Sequence, residues 1–585
     1  MKTQSVVRPA NTSSDPLRDA AEFATLTALL NCYIREFARP ARQIAIRTEG
    51  NVPQALLTEF LSGEVITIVL SASERLMAIR ADRRSLLDRC RFNSAVFIKE
   101  YAKPWRILSA MDSIALLHQE MAAQLQQPIN PELSEQTENS IQVTQMFFEN
   151  IPPPRPDNFI RSEQSLFWGH PFHPTPKSRS GVARKALLAC SPETGASFPL
   201  YWFRIDASLL QWQGDFRVVR MLSALSGNNH SYPCHPWEVP HIVASPLYRQ
   251  AQRQGLITPL GPRGPQFFPT SSVRTFYLPE LPWFLKCSIH VRLTNCVRKN
   301  SWYELESAVA LNRLLNDAFS RLEVITPGFS IMREPAATSL DFSAVEGATT
   351  GEVRHLQECF GILYRTNFPF GTLADYQIEL AAALFSWGRL EECSIQLVIS
   401  HLAHARQLAH GEACHLWFTA YLDLLLPSVL EAFFTEGIVF EPHLQNILIG
   451  MQENLPVRIW IRDLEGTKLL SERWPSASLS DMSQRAKESV WYSRSQGWQR
   501  IAYCLLVNNL SEAIFYLADG DRKIEQQLWR VLSQRLVRWQ QQPEVSAILK
   551  GEPLPSKNNL RTRLLKDADR QASYTYISHP LRDPA

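Results

Sequence analysis

The order of helix-like and strand-like segments along the chain predicts an α+β protein. Apolar residues recur at helical spacing from about residue 17 to 127, short strands and loops follow from about 167 to 298, and helical spacing returns from about 351. A chain of 585 residues is too long for one hydrophobic core. Because helices and strands fall in separate runs, we expect an α+β architecture of about three subdomains.

Within the first of these runs, residues 21–37 predict a helix and residues 65–70 look strand-like. Residues 128–161 are rich in Pro, Asn, Glu and Gln and include three consecutive prolines, so we interpret them as a connection between domains. In the central run, the strand candidates are residues 201–205, 217–222 and 283–294.

The charge of the chain argues against a nucleic-acid partner. The formal net charge is only +3, and neither a basic stripe nor an arginine-rich arm is present. Any bound anion must therefore be met by local cations.

Cysteine usage and hydropathy predict a cytoplasmic protein with no membrane association. The ten cysteines are scattered without a C-x-x-C pair, as expected of small buried side chains in a reducing compartment. The first nineteen residues lack the apolar core of a signal peptide. The longest apolar stretch, residues 422–434, is interrupted by Asp423, Pro427 and Glu431 and is too short to span a bilayer.

Residues 169–181, G-H-P-F-H-P-T-P-K-S-R-S-G, form the densest chemical motif. Each proline restricts itself and the residue before it, which stiffens the backbone. Lys177 and Arg179 are two residues apart and should point the same way, while we expect Gly181 to leave room for a ligand. The motif matches neither the Walker loop nor the dinucleotide fingerprint, yet it suits a polyanion such as a nucleotide triphosphate.

The predicted strand 283–294 alternates apolar and polar residues, and its polar members are Lys286, Ser288, His290, Arg292 and Thr294. Period two places these on one face. That face is either simply solvated or lines a cleft, with Lys286 and Thr294 touching phosphates. Arg298, just beyond, would then clamp a carboxylate or phosphate.

Residues 269–275, P-T-S-S-V-R-T, place four hydroxyls and one guanidinium together. These groups suit a hydroxy-carboxylate, although a polar turn before a strand is the better explanation when the segment is viewed in isolation. The nearby His235-Pro236-Trp237 is typical of a structural turn, and no acidic or thiol residue is spaced with His235 to predict zinc.

Residues 441–463 read as a polar loop, two apolar strands and an acid at the end of the second. Glu441, Asn446 and Asp463 offer the hard oxygen ligands that Mg²⁺ prefers beside phosphates. His443 could polarise a carboxylate oxygen or guide a proton. The alternative is a buried structural histidine and a turn aspartate. Near the C-terminus, the basic pair Lys557 and Arg563 is either solvated or folds back over an anion.

Taken together and in this order, the motifs resemble those of the IucA/IucC family of siderophore synthetases, which work independently of nonribosomal peptide synthetases. The resemblance covers roughly residues 169–581 and includes a C-terminal region similar to the FhuF iron-siderophore reductases. The matching residues are the opening motif, His235-Pro236-Trp237, Ser271 to Thr275, Lys286 to Arg298, Arg365 with Asn367, Glu441 to Asn446, Arg462-Asp463 with Gly466, and Lys557 with Arg563.

The resemblance implies a cupped hand with ATP and Mg²⁺ in a central cleft. Residues 1–150 would be a mainly helical thumb, 151–350 mixed α/β fingers, and 351–585 a helix-rich palm with a small sheet. It further implies that a carboxylate of citrate or a citrate derivative attacks the α-phosphate of ATP, and that a polyamine, amino acid or amino alcohol then displaces AMP. A homodimer is implied as well.

The resemblance assigns roles to individual residues. The catalytic residues would be His443, Arg298 and Lys286. ATP would contact His170, Lys177, Ser178, Arg179, Lys286, Thr294 and Asn446. The carboxylate substrate would contact Ser272, Arg274, Thr275, Arg298, His443 and Lys557. Glu441 and Asp463 would bind Mg²⁺.

Two other functions remain open at this point. An ADP-forming small-molecule kinase would explain Asn446 and Asp463, which are arranged as in a phosphotransferase. A non-catalytic ferric-siderophore binding or reducing protein would explain the FhuF resemblance. An iron–sulfur version of it needs clustered cysteines, which the C-terminal region lacks.

Overall fold

The computed structural model describes residues 15–47, 49–57, 63–150, 152, 157–227, 230–293, 296–389, 392–567 and 572–581. Within these ranges, many helices pack around several separate sheets. The predicted α+β class is therefore confirmed.

The N-terminal part opens with the helix that the sequence predicts. Its first turn is capped by Asp15, whose carboxylate accepts hydrogen bonds from the amides of Leu17 and Arg18, and Pro16 stands where no amide hydrogen is needed. The elements are α1 (Pro16–Tyr33), continued by a π-helical turn (Ile34–Ala38), β1 (Ile44–Arg47), β2 (Glu64–Leu70), β3 (Arg75–Arg84), β4 (Cys90–Phe92), β5 (Val96–Glu100), β6 (Arg106–Leu108), α2 (Ala110–Gln124), α3 (Pro131–Glu149) and α4 (Asn158–Glu163).

The predicted helical character of this part is wrong between residues 44 and 108, apart from residues 65–70, whose predicted strand is confirmed by β2. The six strands form one antiparallel sheet in the order β1-β2-β3-β5-β6, with β4 beside β3. In β3, the consecutive residues 77–81 are all buried, so both faces are covered and the strand lacks the two-residue alternation that would have identified it.

Residues 128–161, predicted as a connection, are largely helical, so that prediction is also wrong. Asn130 caps α3 by accepting a hydrogen bond from the amide of Glu132. Leu133, Ile141 and Phe147 are buried at helical spacing. The polar residues that suggested a linker lie mostly on the other faces of this helix.

The central part carries the sheets that hold the candidate site. Its elements are β7 (Arg179–Ser180), α5 (Arg184–Cys190), β8 (Tyr201–Ile205), β9 (Leu210–Gly214), α6 (Arg217–Ser226), β10 (Ser231–Cys234), α7 (Val239–Ala244), α8 (Pro246–Arg253), β11 (Ile257–Pro262), β12 (Phe268–Pro269), β13 (Thr275–Tyr277), β14 (Trp283–Cys287), β15 (Arg292–Leu293), β16 (Cys296–Val297), α9 (Trp302–Leu314), α10 (Asn316–Ile325), β17 (Phe329–Ile331), β18 (Ala336–Leu340), α11 (Thr350–Phe360) and β19 (Ile362–Thr366).

The strand prediction for 201–205 is confirmed by β8, whereas 217–222 is helical, because Val218 and Leu222 are buried four residues apart in α6. The predicted strand 283–294 is regular only in β14 and resumes briefly as β15. All five residues of β14 are buried, so Lys286 does not lie on a solvated face.

The C-terminal part is rich in helices. Its elements are α12 (Thr372–Asp375), β20 (Gln377–Leu380), α13 (Ala381–Leu384), α14 (Ser394–Arg406), α15 (His410–Phe434), β21 (Ile438–Val439), β22 (Ile447–Gln452), β23 (Leu455–Ile461), β24 (Lys468–Leu470), α16 (Gln484–Val490), β25 (Trp491–Tyr492), α17 (Arg494–Ile501), a π-helix (Ala502–Leu510), α18 (Ser511–Ala518), α19 (Arg522–Leu536), α20 (Pro543–Leu549), β26 (Leu554–Lys557), α21 (Asn559–Leu564) and β27 (Tyr574–Ile577). Short 3₁₀ turns occur at Gln54–Leu56, Pro192–Thr194, Ala207–Leu209, Pro236–Glu238, Leu444–Asn446, Leu464–Gly466, Ser476–Leu479 and Val537–Trp539.

Two sheets meet at the candidate site. One has six strands in the order β12-β13-β14-β19-β18-β9, and the other has four in the order β17-β23-β22-β20. The predicted boundary between residues 350 and 351 falls between β18 and β19, which are neighbours in the first sheet, so there is no structural break at this point. The division into three subdomains stays a prediction.

Among the described residues, two helical segments are long and apolar enough to cross a membrane by length and composition alone: α15 and the continuous run Arg494–Ala518. The apolar stretch predicted to be too short thus belongs to a 25-residue helix that continues through Pro427. The most apolar windows of the two segments are 61% and 89% buried inside the protein, which is how core helices behave.

Candidate active site

One cavity of about 2360 Å³ brings together residues from the N-terminal, central and C-terminal parts of the chain. It is larger than the ~300–1,000 Å³ of ordinary ligand pockets, so it has room for more than one substrate. All but one of the predicted site residues line it: His170, Lys177, Ser178, Arg179, Ser272, Arg274, Thr275, Lys286, Arg298, Glu441, His443, Asn446, Asp463 and Lys557. The exception, Thr294, lies outside the described residues.

The two cations of the 169–181 motif share one buried carboxylate. Oε1 of Glu193 lies 2.7 Å from Nζ of Lys177 and 2.6 Å from a guanidinium nitrogen of Arg179. Burial by itself raises the pKa of a carboxyl, but Arg179 and Lys177 lower that of Glu193 to about 2. The cluster therefore carries one net positive charge at neutral pH.

The rest of this motif is held by contacts with two helices. The side-chain oxygen of Asn139 in α3 accepts hydrogen bonds from Oγ of Ser178 and from the amide of Arg179. Nδ1 of His170 accepts from the amide of Phe172, and its Nε2 lies 2.8 Å from Nδ2 of Asn508. Burial lowers the pKa of His170 well below its usual value, so the ring is neutral.

The glycines at both ends of the motif have positive φ, a conformation that favours glycine. Gly169 has φ +73°, and a Cβ there would lie 2.7 Å from Cβ of Pro176. Gly181 also has positive φ, at +92°, but a Cβ there would meet nothing within 4 Å. The turn conformation of Gly181 thus favours glycine by itself, and the expectation that Gly181 leaves room for a ligand stays a prediction.

Lys286 is the centre of a buried charge network. Its Nζ lies 2.5 Å from Oδ1 of Asp463 and 2.7 Å from Oε2 of Glu465. Burial opposes ionisation of both acids, but Lys286 with Arg365 holds the pKa of Asp463 far below its usual range, and Lys286 with Arg274 lowers that of Glu465. Both carboxylates are thus ionised, and β14 is tied to the turn that follows β23.

Arg365 extends this network from the neighbouring strand β19. Its guanidinium donates two hydrogen bonds to Oε1 of Glu334, at 3.0 and 2.7 Å, and lies 3.3 Å from Asp463. Glu334 also accepts from the amide of Glu465 at 3.2 Å. These contacts fix the acidic turn relative to the six-stranded sheet.

The turn 269–275 presents hydroxyls and a guanidinium to the cavity. Val273 has φ +70°, a left-handed conformation that is strained for a β-branched residue and marks a position the fold has to enforce. Oγ of Ser272 donates to Oγ1 of Thr275 at 2.8 Å and accepts from the amide of Thr275.

The guanidinium of Arg274 is aimed by Asn300. It donates to the side-chain oxygen of Asn300, and another of its nitrogens lies 3.7 Å from Glu465. Nδ2 of Asn300 in turn donates to the carbonyls of Lys286 and Gly361. Asn300 therefore joins the turn, β14 and the segment before β19.

The polar loop before β22 faces the same cavity. Nδ2 of Asn446 donates to the carbonyl of Glu441 at 3.1 Å, and the Glu441 carboxylate is ion-paired with Arg500. The amide of Leu444 donates to Oδ1 of Asn508, the residue that also contacts His170. Asn508 lies in the π-helix, a rare element that is often found at functional sites.

His443 is neutral at physiological pH. Burial lowers its pKa to about 4, Asp463 acts in the opposite direction, and Arg462, Arg298 and Lys557 lower it further. These influences mean that His443 lies within electrostatic range of Arg298 and Lys557, two of the three cations predicted to bind the carboxylate. A neutral imidazole at this place can exchange a hydrogen bond but adds no charge.

The two predicted magnesium ligands offer the oxygen atoms that Mg²⁺ prefers. Each is engaged: Glu441 with Arg500, and Asp463 with Lys286 and Arg365. Glu465 is a further carboxylate on the cavity wall. The donor atoms are therefore of the kind that fits Mg²⁺. Phosphates that enter the cavity would give the paired cations another partner, which would leave these carboxylates available to the metal.

Several residues of the site were missed by sequence reasoning. They are acids and arginines that pair across the fold: Glu163 with Arg462, Glu193 with Lys177 and Arg179, Glu334 with Arg365, and Glu441 with Arg500. Glu163 is 299 positions from Arg462 along the chain, so no local pattern connects them. Of these pairs, only the members that lie within motifs carried a signal: Lys177, Arg179, Arg365, Glu441 and Arg462.

Two family models and several known proteins match this chain. The IucA / IucC family model matches residues 158–386, and that of the ferric iron reductase FhuF-like transporter family matches residues 415–572. The chain is 30% identical over 445 residues to L-2,3-diaminopropanoate–citrate ligase of Staphylococcus aureus, covering 73% of this chain and 75% of that protein. It is 24% identical to spermidine-citrate ligase of Bacillus anthracis, over 96% and 98% of the two chains.

The fold is similar to that of ATP-bound aerobactin synthetase IucA from Klebsiella pneumoniae, with a TM-score of 0.80 at 21% identity over 96% of this chain and 99% of the other. At that identity, the likeness is one of fold.

Proposed function

The chain belongs to the IucA/IucC family of siderophore synthetases, and from this premise we propose that it uses ATP to activate a citrate-type carboxylate and then joins that carboxylate to an amine or alcohol. It is an enzyme of the ligase class, as its relatives are. The observation that carries the proposal is the convergence of the separate sequence motifs on one large cavity with buried cations on its wall.

The proposed reaction has two steps. A carboxylate oxygen of the first substrate attacks the α-phosphorus of ATP, the bond from that phosphorus to the bridging oxygen breaks, and pyrophosphate leaves with the electron pair. The amine or alcohol then attacks the carbonyl carbon of the acyl-adenylate, AMP leaves, and the nucleophile loses its proton. Holding the three substrates in one cavity would supply much of the acceleration through orientation alone.

The phosphates would be met by Lys177, Arg179 and Lys286, with Ser178, His170 and Asn446 beside them. Lys286 and Arg179 are buried, and charges in such surroundings act more strongly than in water. Each cation already has a carboxylate partner, so it is held in place before the phosphates arrive. Thr294 remains a prediction for phosphate contact.

The carboxylate would be bound by Arg274, Arg298 and Lys557, helped by the hydroxyls of Ser272 and Thr275. A guanidinium matches a carboxylate with two parallel hydrogen bonds, which fixes its orientation. His443, neutral in this structure, would accept a hydrogen bond from the substrate hydroxyl or from the incoming nucleophile. This role is consistent with the low pKa that burial gives it.

Magnesium would be held by Glu441 and Asp463 together with phosphate oxygens, and when bound it would offset negative charge on the phosphates. The chain's own contribution is to hold both acids in place and to keep Asp463 ionised. For Asp463, that is achieved by Lys286 and Arg365, which hold its pKa low against burial.

The substrates are proposed by class. The relatives are named for citrate joined to diaminopropanoate or to spermidine, so we propose a citrate-type carboxylate and a polyamine, amino acid or amino alcohol for this chain. A homodimer in the cytoplasm, with no nucleic-acid or membrane partner, is likewise proposed from the family resemblance and the charge of the chain.

A product assay tests the proposal. Purified protein is incubated with ATP, Mg²⁺ and a panel of carboxylates, pyrophosphate is measured, and nucleotide and acyl products are identified by mass spectrometry after adding amines. We expect pyrophosphate and AMP with a citrate-type acid. Pyrophosphate-free ADP formation would instead favour a kinase, and no nucleotide turnover with any pair would refute both.

A matched pair of variants connects the assay to the site. Lys286→Met removes the cation between Asp463 and Glu465, whereas Lys299→Met removes a lysine thirteen positions away that pairs with Glu358 and does not line the cavity. We expect pyrophosphate release to fall by at least about 100-fold in the first, the size of loss seen when one charge-stabilising group is removed. The second should keep the wild-type rate; equal rates in both would contradict the site.

A further inference from the structure

A second group of chemically reactive side chains lies away from the cavity. His290, His355 and Cys359 offer ligand atoms that lie within 4.8 Å of one another, and none of the three lines the cavity. Sequence reasoning found no thiol with convincing ligand spacing around His235. Here the thiol comes from a helix more than one hundred residues further on.

The fold itself brings these side chains together. His355 and Cys359 are four residues apart in α11, so they share one face of that helix. His290 follows β14, which pairs with β19, the strand directly after α11. Sγ of Cys359 lies 3.8 Å from Nε2 of His355 and 3.8 Å from Nδ1 of His290.

The separation between Cys359 and His355 is close to that between two ligands of a tetrahedral metal ion. Zinc–sulfur and zinc–nitrogen bonds of about 2.3 and 2.05 Å at a tetrahedral angle put sulfur and nitrogen about 3.6 Å apart, and Sγ of Cys359 lies 3.8 Å from Nε2 of His355. A sulfur–nitrogen distance of 3.8 Å is also too long for a strong hydrogen bond. These two side chains are therefore arranged for a shared partner more than for each other.

His290 is held as metal-binding histidines are held. Its Nδ1 lies 2.6 Å from Oε2 of Glu238, a fully buried carboxylate. Its Nε2 is buried and has no hydrogen-bond partner among the described residues. A carboxylate that fixes one ring nitrogen while the other is left for a metal is the usual outer arrangement around such sites.

The residue types select the metal. Two imidazoles and a thiolate suit zinc, whereas Mg²⁺ and Ca²⁺ prefer oxygen ligands. The negative charges of the Cys359 thiolate and of Glu238 together equal the charge of a divalent ion. His290 and His355 are half-buried, which leaves the fourth coordination position to a solvent molecule.

We propose that Cys359, His355 and His290 bind one zinc ion, with Glu238 orienting the His290 ring. On binding, the Cys359 thiol releases its proton to solvent and the sulfur coordinates the metal. The ion would link the segment after β14 to α11, and through Glu238 to the turn that carries this residue. Ile289 and Val291, on either side of His290, hydrogen-bond to the backbone of Arg298, so the bound ion would also help to position Arg298 in the cavity.

Elemental analysis and cobalt substitution test this without reference to catalysis. The full-length protein is expressed in zinc-supplemented medium, dialysed, and measured for bound metal per chain; a second sample is stripped with chelator and reconstituted with Co²⁺. We expect one equivalent of zinc, and a thiolate-to-cobalt charge-transfer band together with the visible bands of tetrahedral cobalt. Absence of both metal and bands would overturn the proposal.

Cys359→Ser and His355→Gln identify the ligands, and Cys393→Ser is the matched control, because Cys393 is another cysteine at a helix boundary and belongs to no such group among the described residues. We expect the equivalent of metal and the thiolate band to be lost in the first variant and retained in the control. Circular dichroism confirms that each variant is folded. A thiolate band that survives in folded Cys359→Ser would place the metal elsewhere and refute the assignment.

Thermal stability gives a further readout of metal binding. Chelation should lower the thermal midpoint of the wild-type protein but not that of folded Cys359→Ser, because only the former has metal to lose. Equal shifts in both proteins would contradict a site at Cys359. This outcome is independent of whether the citrate-type activity is found, so failure of one proposal does not entail failure of the other.

Discussion

Glu193→Gln isolates the buried charge cluster that anchors the 169–181 motif. The substitution keeps the shape of the side chain and one oxygen acceptor but removes the negative charge that Lys177 and Arg179 share. Two buried cations would then have no counter-charge from this residue. We expect the segment to open more often without changing its folded geometry.

The magnitude follows from the acidity of Glu193. Its pKa is lowered to about 2 from 4.5, and at about 1.4 kcal/mol per tenfold change in proton affinity this favours the ionised carboxylate by roughly 3–4 kcal/mol. A glutamine oxygen recovers about 1 kcal/mol as a neutral hydrogen-bond acceptor. The expected loss is therefore about 2–3 kcal/mol, close to the ~3–5 kcal/mol typical of broken buried pairs.

Hydrogen exchange followed by mass spectrometry measures this loss locally, which avoids treating a multi-part chain as two-state. Amides in peptides covering residues 177–195 should exchange about 30- to 150-fold faster in the variant, because each ~1.4 kcal/mol is tenfold. The control Glu149→Gln breaks an exposed pair with Arg184 and should cost less than about 1 kcal/mol. Equal protection of these amides in wild type and Glu193→Gln would refute the reasoning.

The stabilisation that Glu193 contributes should depend on pH in a defined direction. Because the folded pKa lies below the unfolded one, the contribution of Glu193 is complete above about pH 4.5 and is lost as pH falls towards 2. The difference between wild type and variant should shrink over that window. Adding Lys177→Met to Glu193→Gln should recover part of the loss, since it removes one of the two stranded charges.

Three further predictions address the site and the core. Arg298→Lys keeps the charge but not the two parallel hydrogen-bond donors, so carboxylate-dependent pyrophosphate release should fall about 10- to 100-fold, and further in Arg298→Ala. The ATP dissociation constant should stay within about twofold. Equal losses of pyrophosphate release and of ATP affinity would contradict a role in carboxylate binding. His443→Ala should slow pyrophosphate release, and because burial lowers the pKa of His443 to about 4, the wild-type rate should show no titration of this residue between pH 6 and 8; an unchanged rate in the variant would count against it. Burial lowers the pKa of His118 to about 4 from 6.5, so as pH falls from 6.5 towards 4 the unfolded chain binds a proton that the folded chain does not, and about 3 kcal/mol of stability is lost. His118→Gln should therefore reduce acid sensitivity; identical dependence of the thermal midpoint on pH in both proteins would refute this.

Sequence reasoning predicted features of the fold that have a local pattern and missed those whose pattern is hidden by packing. The hairpin β22–β23 was predicted because two apolar runs flank a turn, and Glu453 and Asn454 indeed adopt positive φ, as a two-residue hairpin requires. Strand β3 was missed because it is covered on both faces, which erases the alternation on which strand prediction rests. Helix α3 was missed because its exposed face carries the polar residues typical of a linker.

The same distinction holds for the site. Lys177, Lys286, His443 and Asp463 were found because each belongs to a short motif, and all four line the cavity. Their partners, such as Glu193 and Arg500, were not found, because an acid or arginine outside a motif has no signature of its own. Whether a cation faces a ligand or a buried acid is decided by pairings across the fold, which one sequence does not encode locally.

The interleaving of the two sheets has a consequence for recombining this protein with its relatives. Strand β17 precedes β18 and β19 in the chain but pairs with β23, far towards the C-terminus, while β19 pairs back with β14. No single crossover point therefore separates the two sheets: a junction before β17 strips two strands from one sheet, and a junction after β19 leaves the other without its edge. Chimaeras meant to exchange the nucleophile preference of two synthetases would need at least two junctions, with both sheets inherited whole from one parent.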